Sequence, residues 1–314
     1  MPQLNFVTLD VFTTEKYAGN PLAVVRVPEG QDVSTEQMQK IAREFNLSET
    51  IFLHDAQSSA DGLQEWRVRI FLTNAEIPFA GHPTIGAAVY ALSNLSADSS
   101  SDSRHGRLIA NAGPMELTYN RATGIAKAGI AHSFHEHTQY PFTVEDVYSL
   151  QPSLEQSTPL VQKDITIVSP VKGMNFIAVE LPSLDVLASM GTSKRPEPKL
   201  DDEWNTGFSG SYYYVYTSAP IKDGDIERVR VQSRMIEGLF EDPATGSAAC
   251  AFACYAAVKR GGSKITQFSI TQGVEMGRKS DIEVTVTLTS DLKSVEHVEL
   301  GGSAVKVMEG VVEY

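Results

Sequence analysis

Two short stretches of the chain combine a residue that can move a proton with a proline, a glycine and a run of small apolar residues. The first, "FAGHPTIGAAVYA", contains His82, and the second, "FEDPATGSAACAFACYA", contains Asp242. Proline is favoured in the first turn of a helix, so each stretch predicts the start of an apolar helix. Imidazole and carboxylate groups are common general acids and bases, so the pair predicts proton-transfer chemistry.

The two stretches belong to an internal repeat. "NPLAVVRVP" resembles "NFIAVELPS", and "RVRIF" resembles "RVRVQ", in the same order along the two halves of the 314-residue chain. The two helix starts align Gly86 with Gly246 and His82 with Asp242, at an offset of 160 residues (242 − 82). Collinear matches predict two halves of the same topology. Both helices are apolar nearly all round, which predicts a sheet wrapped around one buried helix in each half.

Helix starts present unpaired N–H groups and the positive end of the helix dipole, and they bind anions. Gly86 and Gly246 would let a ligand approach the backbone closely. If the halves face each other, the two helix starts converge on a cleft and form a two-sided pocket for an anion such as a carboxylate. The alternative interpretation is that His82 and Asp242 only cap their helices.

The bulk composition limits the function classes. A formal net charge of −13 makes nucleic-acid binding a poor expectation, because such a chain repels phosphate. The only two cysteines, Cys250 and Cys254, lie in one apolar helical run, which predicts free thiols in a reducing compartment. No signal peptide and no membrane-spanning run is recognisable, so we expect a cytoplasmic protein with no membrane partner.

Five segments together carry a family resemblance: "GNPLAVV", "NLSETIFL", "IPFAGHPTIGAA", "EDPATGSAACAFACY" and "TQGVEMGRKS". In this order and over most of the chain, they closely resemble the PhzF family of phenazine-biosynthesis-like isomerases. The resemblance implies an α+β fold similar to diaminopimelate epimerase. It has two similar domains, each a mostly antiparallel sheet wrapped around a buried central helix, related by a pseudo-twofold axis. We place the domains at residues 1–126 and 127–314, with a boundary soft enough for the last strands to cross back.

The resemblance also assigns the site. Glu49 matches the family's catalytic glutamate, although its position between a helix and a strand would otherwise suggest a solvated turn carboxylate. Gln272 and Arg278 fall in a family segment, but their roles stay open. The remaining matches are two further catalytic residues and three substrate-binding residues: His82 and Asp242; Gly81, Gly246 and Ser247.

These residues predict a cofactor-free isomerase of a small carboxylate-bearing metabolite, with no metal and a homodimeric state implied by the resemblance. Glu49 would move the proton, and burial should raise its pKa. Related epimerases use a pair of cysteines at the helix starts, and this chain has none there. A carboxyl-based epimerase or racemase and a non-catalytic binding protein stay open as alternatives. The substrate, and any link to phenazines, is not fixed by the sequence.

Three other segments favour structural roles. "HSFHEH" from His132 matches no zinc-binding spacing and is interpreted as a solvated connector. The Ser-rich "SADSSSDSRHG" predicts a mobile loop, and "SKRPEPKLDDEW" predicts an irregular charged loop. No nicotinamide, flavin or pyridoxal signature is recognisable, which agrees with chemistry performed by side chains alone.

Overall fold

The computed structural model describes residues 2–95, 102–204 and 207–314. The chain divides into two compact units. Unit 1 comprises Met1–Ala131 with Glu299–Tyr314, and unit 2 comprises His132–Val298. The predicted boundary at residue 126 falls inside a strand of unit 1, Ile125–Gly129.

Unit 1 contains strands β1 to β9, the last part of β19, and β20, together with helices α1 and α2. Its elements are β1 Gln3–Val11, β2 Asn20–Val27, α1 Thr35–Phe45, β3 Thr50–His54, β4 Gln57–Ser58, β5 Gln64–Phe71, β6 Glu76–Ile77, α2 Gly81–Ser93, β7 Ser103–Ala110, β8 Gly113–Asn120, β9 Ile125–Gly129, β19 Val295–Gly302 and β20 Ala304–Glu313.

Unit 2 contains strands β10 to β18, the first part of β19, and helices α3 to α6. Its elements are β10 His135–His137, α3 Val144–Leu150, α4 Pro152–Ser157, a 3₁₀ turn Gln162–Asp164, β11 Ile165–Val171, β12 Met174–Glu180, α5 Leu184–Ala188, β13 Phe208–Tyr216, β14 Ile221–Asp223, β15 Ile226–Glu237, β16 Phe240–Asp242, α6 Gly246–Arg260, β17 Ile265–Gln272 and β18 Ser280–Leu288.

The two units share one order of strand pairing. In unit 1, β1 to β2 is antiparallel, β2 to β3 parallel, β3 to β5 antiparallel, β5 to β7 parallel and β7 to β8 antiparallel. Unit 2 repeats these five pairings with β11, β12, β13, β15, β17 and β18. The recurrence predicted from the sequence is therefore present in the sheet topology. Each sheet is mostly antiparallel, with two parallel pairs in the shared set.

Each sheet packs against one buried helix. In α2 eleven of thirteen residues are buried, and the helix contacts β1, β2, β7, β8 and β9. In α6 eleven of fifteen are buried, against β11, β12, β17 and β18. An apolar surface on every side explains this placement, because no face of either helix has a polar stripe to turn toward water.

The register of the repeat differs from the one that the sequence suggests. The helices begin at Gly81 and Gly246, an offset of 165 residues (246 − 81). The preceding hairpins keep the same offset, since Ile70 pairs with Ile77 in unit 1 and Met235 pairs with Asp242 in unit 2. The alignment of His82 with Asp242 and of Gly86 with Gly246 was wrong by five residues.

An arginine–glutamate pair closes both hairpins and confirms the new register. Arg69 binds both carboxylate oxygens of Glu76, with Nε–Oε1 and Nη2–Oε2 distances of 2.8 and 2.6 Å. Arg234 binds Glu241 in the same way, at 2.8 and 2.7 Å. Bidentate pairs of this kind fix orientation as well as distance. Each hairpin therefore leads into its central helix from a clamped end.

Gly86 lies in the second turn of α2, which corrects its expected role as a ligand-approach glycine at a helix start. A Cβ atom added there would lie 2.4 Å from Leu22 Cδ2 and 2.9 Å from Val11 Cγ2. The missing side chain allows α2 to pack closely on β1 and β2 of its own sheet.

Local sequence signals succeed in one place and fail in another. The predicted helix after Ser34 is confirmed, with the Ser34–Gln37 capping box and buried Met38, Ile41 and Ala42. The predicted Ser-rich loop is wrong from Ser103 onward, where β7 begins and pairs with β8. Residues 96–101 of that loop lie outside the described residues. Within the described chain, no helix combines the length and apolar character that a membrane crossing requires.

We predict that Gly86→Ala destabilises the protein by about 1–3 kcal/mol, because overpacking against Leu22 and Val11 outweighs the better helix propensity of alanine. Urea unfolding of wild type and variant measures the difference. Ser93→Ala, at the exposed end of the same helix, is the control and should change stability little. A Gly86→Ala protein as stable as wild type would contradict the close-packing role.

Candidate active site

Glu49 is placed by the end of a helix and the start of a strand. Helix α1 stops at Asn46, which adopts a left-handed conformation with φ 51° and donates its N–H to Ala42. Three residues later, Thr50 is fully buried and pairs with Ala23 of β2 on one side and Phe71 of β5 on the other. Glu49 therefore adjoins a residue fixed on both sides by the sheet.

The Glu49 carboxyl is removed from water, with a side chain only 16% exposed. Burial raises its pKa from the ordinary 4.5 to about 7, although the Ser48 side chain partly offsets the rise by hydrogen bonding. The expected direction is thus confirmed, and the interpretation as a solvated turn residue is wrong. A carboxyl with a pKa near 7 can both accept and donate a proton at neutral pH.

His82 is the second residue of α2, not a residue that precedes the helix. Its ring is buried, and Nε2 lies 3.7 Å from Glu49 Oε2. Its other nitrogen, Nδ1, lies 3.3 Å from the Nδ2 atom of the buried Asn20. The structure thus brings Glu49 and His82 together in unit 1 and adds Asn20, which sequence reasoning missed.

Asp242 lies on β16, four residues before α6, so it does not occupy the N-cap position. That position belongs to Thr245, whose hydroxyl donates to Asp242 Oδ2 at 2.7 Å. The amide of Ala244 donates to Asp242 Oδ1 at 3.4 Å. The carboxylate is held buried, with its direction set by the turn that enters the helix.

Gln272 joins this turn to the sheet. It is fully buried at the end of β17. Its Nε2 donates to the Asp242 carbonyl at 2.8 Å and to Thr245 Oγ1 at 3.1 Å, and its Oε1 accepts from the Thr245 N–H at 3.3 Å. The sequence left the role of Gln272 open, and these bonds make it the support of Asp242 and Thr245.

The predicted substrate-binding residues occupy the first turns of the two buried helices. Gly81 opens α2, and Gly246 and the buried Ser247 open α6. Among the described residues, neither N-cap residue, Ala80 or Thr245, makes a side-chain capping bond to its helix. Such first turns favour a negatively charged group.

The two cysteines are core residues of α6. Both are buried and free, and burial raises the pKa of Cys250 to about 12. The pKa of Cys254 is raised as well, chiefly by burial. A thiol that stays protonated at neutral pH is a poor base or nucleophile, which agrees with the expectation of inert cysteines.

The histidine-rich segment is not the solvated connector that we expected. His135 and His137 lie on β10, His137 is buried, and both approach Asp201 within ion-pair distance. Three such groups within 4.8 Å of one another suggest a metal site. However, His137 Nδ1 accepts the Asp201 N–H at 3.1 Å and Nε2 lies 2.9 Å from Ser169 Oγ. Both ring nitrogens are thus engaged in hydrogen bonds, and the cluster ties a loop to the sheet.

Comparison with known proteins identifies the chain. A family model described as phenazine biosynthesis-like protein, PhzC-PhzF, matches residues 9–310. The chain belongs to this family. An uncharacterized isomerase of Mesorhizobium japonicum is 33% identical to this PhzF-family protein, over 99% of both chains. Trans-2,3-dihydro-3-hydroxyanthranilate isomerase of Pseudomonas aeruginosa is 30% identical, over 97% of this chain and 98% of that protein. The names of these relatives support an isomerase.

Solved structures share the fold. A PhzF-family phenazine biosynthesis protein of Bacillus anthracis matches with a TM-score of 0.70 and 20% identity, over 100% of both chains. A hydroxyproline epimerase of Agrobacterium vitis matches with a TM-score of 0.56 and 10% identity, over 99% of this chain and 92% of that one. Together with the strand pairing above, they confirm the predicted α+β, epimerase-like fold class.

The raised pKa of Glu49 predicts a pH-dependent stability difference between wild type and Glu49→Gln. The carboxyl is favoured in its protonated form in the folded protein. Its contribution is therefore present below pH 4.5 and is lost as the pH rises through about 7. The glutamine variant lacks this loss and should gain roughly 2–3 kcal/mol over wild type between pH 5 and pH 8.

Urea unfolding at several pH values measures this gain. Glu44→Gln, at an exposed position of α1, is the matched control and should show no such trend. Parallel stability curves for wild type and Glu49→Gln would contradict a buried, proton-holding carboxyl.

Gln272→Leu should destabilise the protein by about 1–3 kcal/mol, because it leaves the buried Asp242 carbonyl and Thr245 N–H without this partner. Gln267→Leu, on the half-buried face of the same strand, is the control. Thermal and urea unfolding compare the variants. An equal, small effect at both positions would show that the Gln272 bonds do not support the turn.

Proposed function

We propose that the protein is a cofactor-independent isomerase in which Glu49 moves a proton between two carbons of a small carboxylate-bearing metabolite. The observation that carries the proposal is the Glu49 carboxyl, largely buried, with a pKa near 7, and 3.7 Å from His82 Nε2. A shuttle must accept and later release the same proton, and a pKa near the working pH suits both steps.

The step balances without any other reactant. The Glu49 carboxylate takes a proton from a carbon next to a double bond. The electron pair of the broken C–H bond moves into the conjugated system. Protonated Glu49 then returns the proton to another carbon of that system, so that a double bond has changed place and the formula is unchanged.

We assign the other residues to binding and charge stabilisation. The N–H groups of Gly246 and Ser247 at the start of α6 would accept the substrate carboxylate, and those of Gly81 and His82 at the start of α2 would act in the same way. Asp242, fixed by Thr245 and Gln272, would bind a donor group of the substrate, and His82 would hold the substrate beside Glu49.

The first substrate to test is the one that names several relatives, trans-2,3-dihydro-3-hydroxyanthranilate. It carries a ring carboxylate and conjugated double bonds, as the proposed step requires. Deuterium from D₂O appearing at a ring carbon together with a shifted double bond would support an isomerase. Deuterium at a stereocentre with inversion would instead indicate an epimerase, whose fold this chain shares.

Glu49→Gln should lower turnover by about 10²–10⁴-fold, the usual contribution of a general acid or base. Substrate binding measured by calorimetry should change little, because the proposed carboxylate contacts do not involve Glu49. Glu44→Gln is the control and should retain full turnover. Equal conversion by wild type and Glu49→Gln would remove Glu49 from the mechanism. Homodimer formation stays a prediction, which analytical ultracentrifugation tests.

A further inference from the structure

The buried Asn20 contacts the ring of His82 on the side opposite Glu49. Its Nδ2 atom lies 3.3 Å from His82 Nδ1, while His82 Nε2 lies 3.7 Å from Glu49 Oε2. Asn20 is 1% exposed and His82 is 4% exposed. Little water reaches either group, so the pair must be compatible in its own donors and acceptors.

The chemistry of the two groups fixes where the ring proton lies. An amide NH₂ group is a donor only, so His82 Nδ1 faces it as an acceptor. A neutral imidazole with an acceptor at Nδ1 carries its proton at Nε2. A second proton at Nδ1 would bring two donors together in a buried place. It would also add positive charge in the first turn of α2, where the helix dipole disfavours it.

The backbone around Asn20 holds this contact. Asn20 begins β2 and pairs with Val11 of β1. The preceding Gly19 has φ +65°, and a Cβ atom there would lie 2.4 Å from the Val11 carbonyl oxygen. Two residues beyond Asn20, Leu22 packs on Gly86 of α2, which sets the distance between the strand and the helix that bears His82.

We propose that Asn20 is a positioning residue that holds His82 as a neutral Nε2–H hydrogen-bond donor. His82 then presents a proton toward the place where Glu49 works and has no free lone pair there. It acts as a donor toward the substrate and not as a base, so Glu49 is the proton acceptor of the pair. The role toward substrate rests on the proposed function, whereas the tautomer does not.

Long-range ¹H–¹⁵N correlation of the uniformly ¹⁵N-labelled protein reports the tautomer of each histidine. The His82 signals are assigned by their loss in His82→Gln. We expect Nδ1 in the unprotonated range and Nε2 in the protonated range between pH 6 and 8. A protonated Nδ1 in wild type would mean that the Asn20 oxygen faces the ring, and it would overturn the proposal.

Asn20→Asp reverses the contact, because a carboxylate can only accept. The proton should appear on Nδ1, either in the other neutral tautomer or in the imidazolium ion, and both results support the proposal. An unchanged pattern in a folded Asn20→Asp protein would overturn it. Asn5→Asp, at an exposed position of β1, is the matched control and should leave the His82 signals unchanged.

Asn20→Ser serves if the aspartate variant does not fold. A serine hydroxyl both donates and accepts, so we expect both neutral tautomers of His82 in place of one. A single Nε2–H tautomer in Asn20→Ser would show that Asn20 does not select it, and would overturn the proposal.

An activity measurement separates this inference from the proposed function. With a substrate in hand, Asn20→Ser should lower kcat by about tenfold or more while KM changes less than threefold, as expected for a misoriented donor. The expected tautomer in a wild type without isomerase activity would sink the proposed function and leave the inference standing. A protonated Nδ1 in an active wild type would do the reverse.

Discussion

Burying a helix on every side leaves the polar groups of its first turn with no water to bind. The first N–H groups of any helix lack partners within the helix, and α2 and α6 are enclosed by their own sheets. An apolar exterior provides the packing that stabilises each unit. The same apolar exterior concentrates the remaining polar demand at the helix start. The position of a site that accepts anions therefore follows from the core.

The side chains around these two starts meet the demand in different ways. In unit 2, Thr245 and Gln272 form a closed set of hydrogen bonds around Asp242. In unit 1, the imidazole of His82 lies inside the first turn and faces Asn20 on one side and Glu49 on the other. Two units with one topology thus carry chemically distinct groups. The groups do not come from equivalent positions, because the helix starts are 165 residues apart and the His82–Asp242 spacing is 160.

Patterns that depend on neighbouring residues predicted much of this fold. The capping box at Ser34 gave its helix, and the absence of a polar stripe identified α2 and α6 as buried. The errors arose where distant residues decide the outcome. Small apolar residues recur so often in "GHPTIGAA" and "DPATGSAA" that sequence similarity selects a register five residues away from the one that strand pairing sets.

The candidate site divides in the same way. Glu49 was found through a family resemblance, since nothing in its local sequence distinguishes it from a solvated turn residue. The role of Gln272 depends on a strand that meets the helix entry only in the folded chain. The burial of His137 results from Asp201 and Ser169, which lie 64 and 32 residues away along the chain.

The path of the chain through unit 1 affects the order in which the protein can be made. Strand β1 has β20 as a neighbour, and residues 132–298 between the two parts of unit 1 belong to the other unit. On a ribosome that adds about 5–20 residues per second, β1 would wait roughly ten to thirty seconds for those residues alone. Unit 2 can complete its sheet during that time. Until β20 emerges, one edge of β1 offers unpaired backbone groups to other chains, so the nascent protein is most exposed to aggregation before its last strand is made.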